Sequence, residues 1–305
     1  MLSLYKLEIF MLAAEQGSFS KAAERLYLSQ SAVSQHIQEL ESTLGTSLFE
    51  RGRRGVTLTE AGHTLFDYTQ KILKLIAEAE NAVTNVHNLA DGQVNIGATP
   101  GINIYLLPGW IQLFQQQHPN LTASLQTDTT QNIIKLIHQG KLDIGIVEGE
   151  IAEDMEHLGV CALQEIDLFV IIGRWHQCWY RKTAPPDALD GQAFVVRQQG
   201  SQTRTWFESI LAQHHIKPRV IAEFDNPESL KHAVASGMGI TILPEYVVQR
   251  EVEMGLLKAI PIENVPLRRT LKLIWDERHP FSPITRAFLL TLAQKFPQTR
   301  KAVNL

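Results

Sequence analysis

Apolar positions in the first 58 residues recur at helical spacing. Leu4, Leu7, Phe10, Met11 and Ala14 mark one face of a helix over residues 4–16, which Gly17 ends. Ser18 to Ser20 offer caps for a second, short helix carrying Ala22, Ala23 and Leu26. The two adjacent alanines let another helix cross closely. Leu28-Ser29-Gln30 makes a tight turn, and a third helix starts near Ser31 with Val33, Ile37, Leu40 and Leu44 as its buried stripe and Gly45 as its stop. Two short helices joined by such a turn form a helix-turn-helix, whose second helix enters the DNA major groove with its N-terminal residues on base edges. The polar positions at that end are Gln30, Ser31, Ser34, Gln35 and Gln38. Glutamine pairs with adenine through two hydrogen bonds, and serine reaches bases or phosphate. Any helical bundle also shows water a polar face, so composition alone does not separate the two readings.

Leu48-Phe49-Glu50-Arg51-Gly52-Arg53-Arg54-Gly55-Val56-Thr57-Leu58-Thr59 reads as two short extended pieces around a Gly- and Arg-rich tip, a β-wing. Arg51, Arg53 and Arg54 there suit backbone phosphates or a narrow minor groove. Thr57-Leu58-Thr59-Glu60 contains a Thr-x-x-Glu capping box for a long helix running to about Leu89. Ala61, Leu65, Tyr68, Ile72, Leu75, Ala79, Ala82, Val86 and Leu89 alternate at intervals of four and three, a heptad seam. Such a narrow stripe predicts self-pairing, parallel or antiparallel, with packing on the following domain as the alternative. A dimer presents two recognition helices to half-sites a helical turn or more apart, of the order of 34 Å.

From Asp91-Gly92-Gln93 onward the pattern changes. Val94–Ala98, Leu121–Leu125 and Leu142–Val147 read as strands, with helices over Leu106–Gln117 and Ile133–His138 between them. A second series runs from about Ile166 to Ile262, and the chain returns through a strand at Leu271–Trp275 and a helix at Pro283–Phe296. This alternation predicts a mostly parallel sheet covered on both faces. It divides into lobe I, about 91–163 and 270–305, and lobe II, about 164–269, with hinges near 163–168 and 263–270. Parallel sheets open ligand crevices at the carboxyl ends of their strands, and helix N-termini there suit anions. Four loops fit, at residues 99–103, 127–130, 200–204 and 225–228, with Thr99, Gly101, Asn103, Thr129, Thr130, Ser201, Thr203, Arg204 and Asn226 as candidate contacts. Arg204 is the sole obvious cation and suits a carboxylate or oxyanion. Each hydroxyl also fits a plain helix cap, as does Asn226 before Pro227; their convergence is what supports a pocket. Glu148 either lines the same cleft or faces solvent.

The totals narrow the class. The chain has 305 residues, 44% apolar and 20% charged, ordinary for a soluble globular protein of two domains. No apolar run approaches the roughly 18 to 20 residues of a membrane span, and Glu8 and Glu15 break any signal-peptide pattern, so a cytoplasmic address without a membrane partner is expected. Net charge is −4, and residues 1–58 hold six basic and six acidic side chains, so a DNA contact must be local and geometric. No nucleophile elbow, phosphate-binding loop, dinucleotide fingerprint or zinc motif is present, which points away from an enzyme and from a cofactor or metal. Cys161 and Cys178 form no disulfide framework. A redox sensor using both, with a thiol activated near Arg174, His176 or Arg181, is one alternative. A solute-binding protein is another, against which residues 1–90 argue.

One run of residues is more specific than any total. Gly17-Ser18-Phe19-Ser20-Lys21-Ala22-Ala23-Glu24-Arg25-Leu26, Leu28-Ser29-Gln30-Ser31-Ala32-Val33-Ser34, Ile37, Leu40-Glu41, Leu44-Gly45, Leu48-Phe49, Arg51 and Leu58-Thr59-Glu60-Ala61-Gly62 resemble the LysR-type transcriptional regulators. Ser31 stands where many members carry proline, and serine is an acceptable helix-start residue. Gly140-Lys141-Leu142-Asp143-Ile144-Gly145-Ile146 and Ala235-Ser236-Gly237-Met238-Gly239-Ile240 match phrases of the same family's effector domain. The resemblance implies an α/β protein with an N-terminal winged helix-turn-helix (1–58), a long linker, or dimerisation, helix (59–90) and a two-lobed periplasmic-binding-protein-like effector domain (91–305). It also implies dimers paired into tetramers, promoter half-sites on double-stranded DNA, a small-molecule co-inducer and RNA polymerase as a further partner. Family positions for effector contact fall on Thr99, Thr129, Ser201, Thr203 and Asn226. The expectation is a DNA-binding regulator modulated by a small anion.

Overall fold

A computed structural model describes residues 2–52, 55–84, 92–151 and 156–302, in two compact units, Met1–Asn88 and Leu89–Leu305. In the first unit, α1 (Leu4–Gln16), α2 (Phe19–Leu26) and α3 (Gln30–Leu44) pack around Ile9, Phe10, Ala13, Ala22, Ala23, Val33, Ile37 and Leu40. The buried face of α1 is rotated from the expected one: Ile9 and Ala13 are inside, while Leu4 is exposed and Met11 only half-buried. Leu44 is exposed as well. Ser18 caps α2 by accepting from Lys21 N, and Ser29, rather than a residue at Ser31, caps α3 by accepting from Ala32 N at 3.1 Å. β1 (Phe49–Gly52) and β2 (Gly55–Leu58) pair antiparallel, Phe49 opposite Leu58. Val56 N donates to Gly17 O at 3.0 Å, tying the wing to the corner between α1 and α2.

α4 covers Glu60–Thr84, and Thr59, not Thr57, is its cap, accepting from Gly62 N at 3.0 Å; Thr57 belongs to β2. The Thr57–Glu60 capping box therefore does not form. Ala61 and Leu65 pack on the winged core, while Tyr68 and Leu75 of the seam stay exposed at 61% and 53%. The side chains of Ala79 and Ala82, and Val86 and Leu89 altogether, lie outside the described residues.

In the second unit the order is β3 (Gly92–Ala98), α5 (Pro100–Tyr105), α6 (Leu107–Gln117), β4 (Leu121–Thr127), α7 (Thr130–His138), β5 (Ile144–Glu148) and β6 (Leu158–Gly173), then β7 (Ala193–Arg197), α8 (Gln202–Gln213), β8 (Arg219–Phe224), α9 (Pro227–Ala235), β9 (Thr241–Pro244), α10 (Glu245–Glu253) and β10 (Leu257–Ile260), and finally β11 (Arg268–Asp276), α11 (Pro283–Lys295) and α12 (Gln298–Ala302). β3 pairs parallel with β4 and β5, but β11 runs antiparallel to both β5 and β6. The sheet is thus mixed rather than mostly parallel, because two strands cross between lobes. β6 pairs with β11 through Asp167 and with β9 and β10 from Leu168 onward. Farther out, β7 pairs parallel with β8, and Phe194 bridges to Ile240.

Strand alternation puts successive residues into different cores. Leu271, Leu273 and Trp275 of β11 join α6 and α11 on one face, while Ile274 joins Ile133, Ile134 and Ile137 of α7 on the other. Gly97 and Gly145 sit opposite each other beneath α7, where a Cβ at either would meet Ile133 Cγ2 within 3 Å. Only glycine lets that helix lie so close.

Asp276, at the end of β11, is buried and accepts from Arg278 N (3.0 Å) and Nε (2.9 Å), with His138 Nδ1 at 3.2 Å. Burial works to raise its carboxyl pKa, but Arg278 and His138 together hold it well below the usual range. A depressed folded pKa stabilises above the unfolded value, near 4, and that contribution is lost as pH falls below it. Asp276→Asn is expected to cost about 1–3 kcal/mol at neutral pH and to flatten the acid limb of stability below about pH 4. Urea unfolding at pH 7 and pH 3.5 checks this; an unchanged acid limb would contradict it.

Candidate functional site

β5, β7, β11 and the N-terminal ends of α7 and α8 converge on a cleft of about 300 Å³ in the second unit. Lobe I supplies Thr99, Gly101, Thr127 to Thr130 and Glu148; lobe II supplies Arg197, Gln198, Ser201 to Thr203, Asp225 and Tyr246; Arg269 enters from β11. Thr129 and Ser201 both line the cleft and cap their helices, accepting from Asn132 N (3.4 Å) and Arg204 N (3.5 Å). Thr99 stands at the cap position of α5 without a side-chain cap bond. Gly101, Thr130 and Thr203 complete the expected residues found at the wall.

Three expected contacts lie elsewhere. Asn226 is a cap, accepting from Ser229 N at 2.9 Å, and it is the flanking Asp225 and Pro227 that reach the cavity. Asn103 lies farther along α5 and donates to Thr127 Oγ1. Arg204, read as the sole cation, turns away: Nε bonds Glu208 (2.8 Å) and Nη1 bonds Glu223 (2.8 Å) and Arg197 O (2.9 Å). Among the described residues, the cations lining the cleft are Arg197 and Arg269. The sequence reading missed Arg197, although it closes β7 and the rule that ligands gather at strand carboxyl ends was the signal that could have found it. Nothing local marks Arg269.

Arg269 is 3% exposed, donating from Nη1 to Thr203 Oγ1 (2.5 Å) and from Nη2 to Glu148 O (2.9 Å). Glu148 is buried at the wall, and Tyr246 donates its hydroxyl to Oε1. Burial pushes the Glu148 carboxyl up; the Tyr246 hydroxyl and the guanidiniums of Arg269 and Arg197 pull it back. Burial also opposes the charge on Arg197, which Asp225 and Glu148 favour. Arg197 Nε, Arg269 Nε and Gln202 Oε1 are buried without a partner. Three unpartnered polar atoms on residues of one cleft suit a polar occupant.

On the first unit, Gln30, Ser31, Gln35 and Gln38 are exposed along the N-terminal half of α3, and Ser34 is half-buried. Gln35 Nε2 donates to Glu39 Oε1 (3.0 Å), and Glu39 Oε2 takes Lys6 Nζ at 2.8 Å. Lys6 and Gln35 hold the Glu39 carboxyl below its usual range. Arg51 lies in β1 with its side chain outside the described residues, as are Arg53 and Arg54 entirely. Tyr27, unremarked in the sequence, is 97% exposed in the left-handed turn (φ 57°) between α2 and α3.

The redox alternative loses its geometry. Cys161 is buried in the lobe I core and Cys178 in the lobe II core, and burial pushes the Cys161 thiol up rather than activating it. Among the described residues, no helix is long and apolar enough to cross a membrane.

Known proteins agree with this layout. The family described as bacterial regulatory helix-turn-helix protein, lysR family, matches residues 4–63, and the LysR substrate binding domain matches residues 87–297. A probable RuBisCO transcriptional regulator of Synechocystis is 34% identical over 298 residues, covering 96% of this chain and 86% of that protein. The crystal structure of full-length CbnR complexed with its target DNA shares the fold, with a TM-score of 0.71 at 19% identity over 96% of this chain and 100% of the other. The regulatory domain of Synechocystis CcmR in complex with 2-PG aligns with a TM-score of 0.62 at 26% identity, covering 67% of this chain and 98% of that one. An N-terminal helix-turn-helix joined to a two-lobed substrate-binding domain, matched along nearly its whole length, places this chain in the LysR family of transcription regulators.

Proposed function

We propose that the cleft of the second unit takes a small anionic effector and that its occupancy alters how α3 engages promoter DNA. The observation that carries this is the pair of cleft arginines, half-buried Arg197 and buried Arg269, each with an unpartnered Nε, beside the N-termini of α7 and α8. The CcmR regulatory domain, complexed with 2-PG, supports the same use of the fold. In this reading the cleft binds and does not catalyse. Residues 1–58 contact double-stranded DNA, 59–90 link and dimerise, and 91–305 sense the effector. The exposed Tyr68 and Leu75 of α4 are the apolar surface that a second copy covers, and two such dimers build a tetramer. RNA polymerase is the further partner and the cytoplasm the compartment. An effector shifts DNA binding only insofar as it binds the two arrangements unequally.

Thermal denaturation of the full chain with phosphorylated and carboxylated metabolites tests the site. A ligand at a hundredfold its Kd is expected to stabilise by about 2.7 kcal/mol, and Arg197→Met to remove that gain while leaving the unliganded Tm within a few degrees. Stabilisation that survives Arg197→Met would place the ligand elsewhere.

A further inference from the structure

Beside its two arginines the cleft buries a carboxylate, which anion binding by itself does not call for. Glu148 has a side chain 9% exposed, and an ionised carboxylate accepts through both oxygens. Tyr246 serves Oε1. Oε2 lies 3.7 Å from Arg269 Nη1, beyond hydrogen-bond distance, because Nη1 is turned to Thr203 Oγ1 and Nη2 to the Glu148 carbonyl. The acceptor capacity of Oε2 is therefore left to whatever enters the cavity. A bare oxyanion offers no donor and brings like charge. An ammonium brings a donor but meets Arg197 and Arg269. A neutral hydroxyl satisfies Oε2 without either conflict.

We propose that Glu148 sets the effector class: the ligand is a small anion that also carries a hydroxyl, its anionic group held by Arg197 and the first turn of α8 and its hydroxyl donating to Glu148 Oε2. This rests on the anion-binding reading of the cleft. The carboxyl that burial pushes up gains most from a donor that arrives with the ligand. Discrimination follows from the general asymmetry of polar sites, in which an analogue lacking the bonded hydroxyl leaves a buried group unpaired. Asp128 and Asp225 also face the cavity, so the anionic end has its place at the guanidinium of Arg197 rather than along the whole wall.

Calorimetric titration of the full chain with matched probes decides it: lactate against propionate, and 3-phosphoglycerate against 3-(phosphonooxy)propionate. In the wild type the hydroxylated member is expected to bind at least tenfold tighter. Glu148→Gln replaces the charged acceptor with a neutral and weaker one, so the hydroxylated probe should lose and the ratio fall below about threefold. Glu148→Met, which removes the acceptor, should likewise collapse the ratio. Arg197→Met should weaken both members of a pair alike. Pairs that bind equally in the wild type, or a preference that persists in both Glu148 variants, overturn the hydroxyl role while leaving the anion site standing. No binding by any probe overturns both.

Discussion

Arg269→Ala is expected to cost the effector-binding unit about 3–5 kcal/mol, the range for removing one partner of a buried ion pair. Its guanidinium lies over the Trp206 ring (5.5 Å), donates to Thr203 and to the Glu148 carbonyl, and provides the nearby positive charge for a buried carboxylate. Its seat is shaped by Gly149, which sits at φ 92° and where a Cβ would meet Arg269 Nη2 at 1.7 Å. Alanine at 269 leaves Glu148 buried, with only the Tyr246 hydroxyl and Arg197 to answer its charge. Most of the cost is that stranded charge rather than the lost attraction. The double variant Glu148→Gln/Arg269→Met removes both charges and is expected to lose less than half as much as Arg269→Ala alone. All five tryptophans, at positions 110, 175, 179, 206 and 275, lie in the second unit, so urea unfolding followed by their fluorescence reports that unit. A loss below about 1 kcal/mol for Arg269→Ala, or strict additivity in the cycle, contradicts this account.

That arginine also shows where sequence reading ends. Period-3.6 and period-2 patterns made most elements legible, since burial of one face is a local property of the chain. α5 escaped because Pro100-Gly101 reads as a break, although proline at the first position opens a helix well. α10 escaped because only Val247 and Val248 of its nine residues are buried. β6 was cut short: its first half exposes alternate residues, Val160, Ala162 and Gln164, which look like the end of a strand unless its pairing with β11 is known. Within the cleft, helix-capping chemistry revealed Thr129 and Ser201. Arg204 misled because proximity in sequence to a cap was taken for proximity to the cavity. Glu208, four residues on, was the available sign that it pairs along the helix surface instead. The Glu148–Arg269 contact spans 121 positions and has no local trace.

Gln35→Ala is expected to abolish preference at one base pair of the half-site, about 1–3 kcal/mol or roughly five- to 150-fold in discrimination, while affinity for unrelated DNA stays within about twofold. The side chain stands exposed near the N-terminal end of α3, where a recognition helix meets base edges. One N–H of its amide is bonded to Glu39, itself bonded to Lys6, which leaves the carbonyl and the second N–H to match the N6 and N7 edge of adenine. Cutting the tether with Glu39→Ala should leave the same base preferred but by a smaller margin, because the amide then gives up rotational freedom on binding. Gln35 is neutral, so its loss should leave the slope of log K against log salt unchanged. Arg53→Ala or Arg54→Ala should instead weaken binding on every sequence and reduce that slope by about 0.9 each, as phosphate contacts do. Anisotropy titrations on a set of single-base half-site variants at three salt concentrations separate these behaviours. Equal loss on all sequences for Gln35→Ala, or a change in its salt slope, would assign it to the backbone instead.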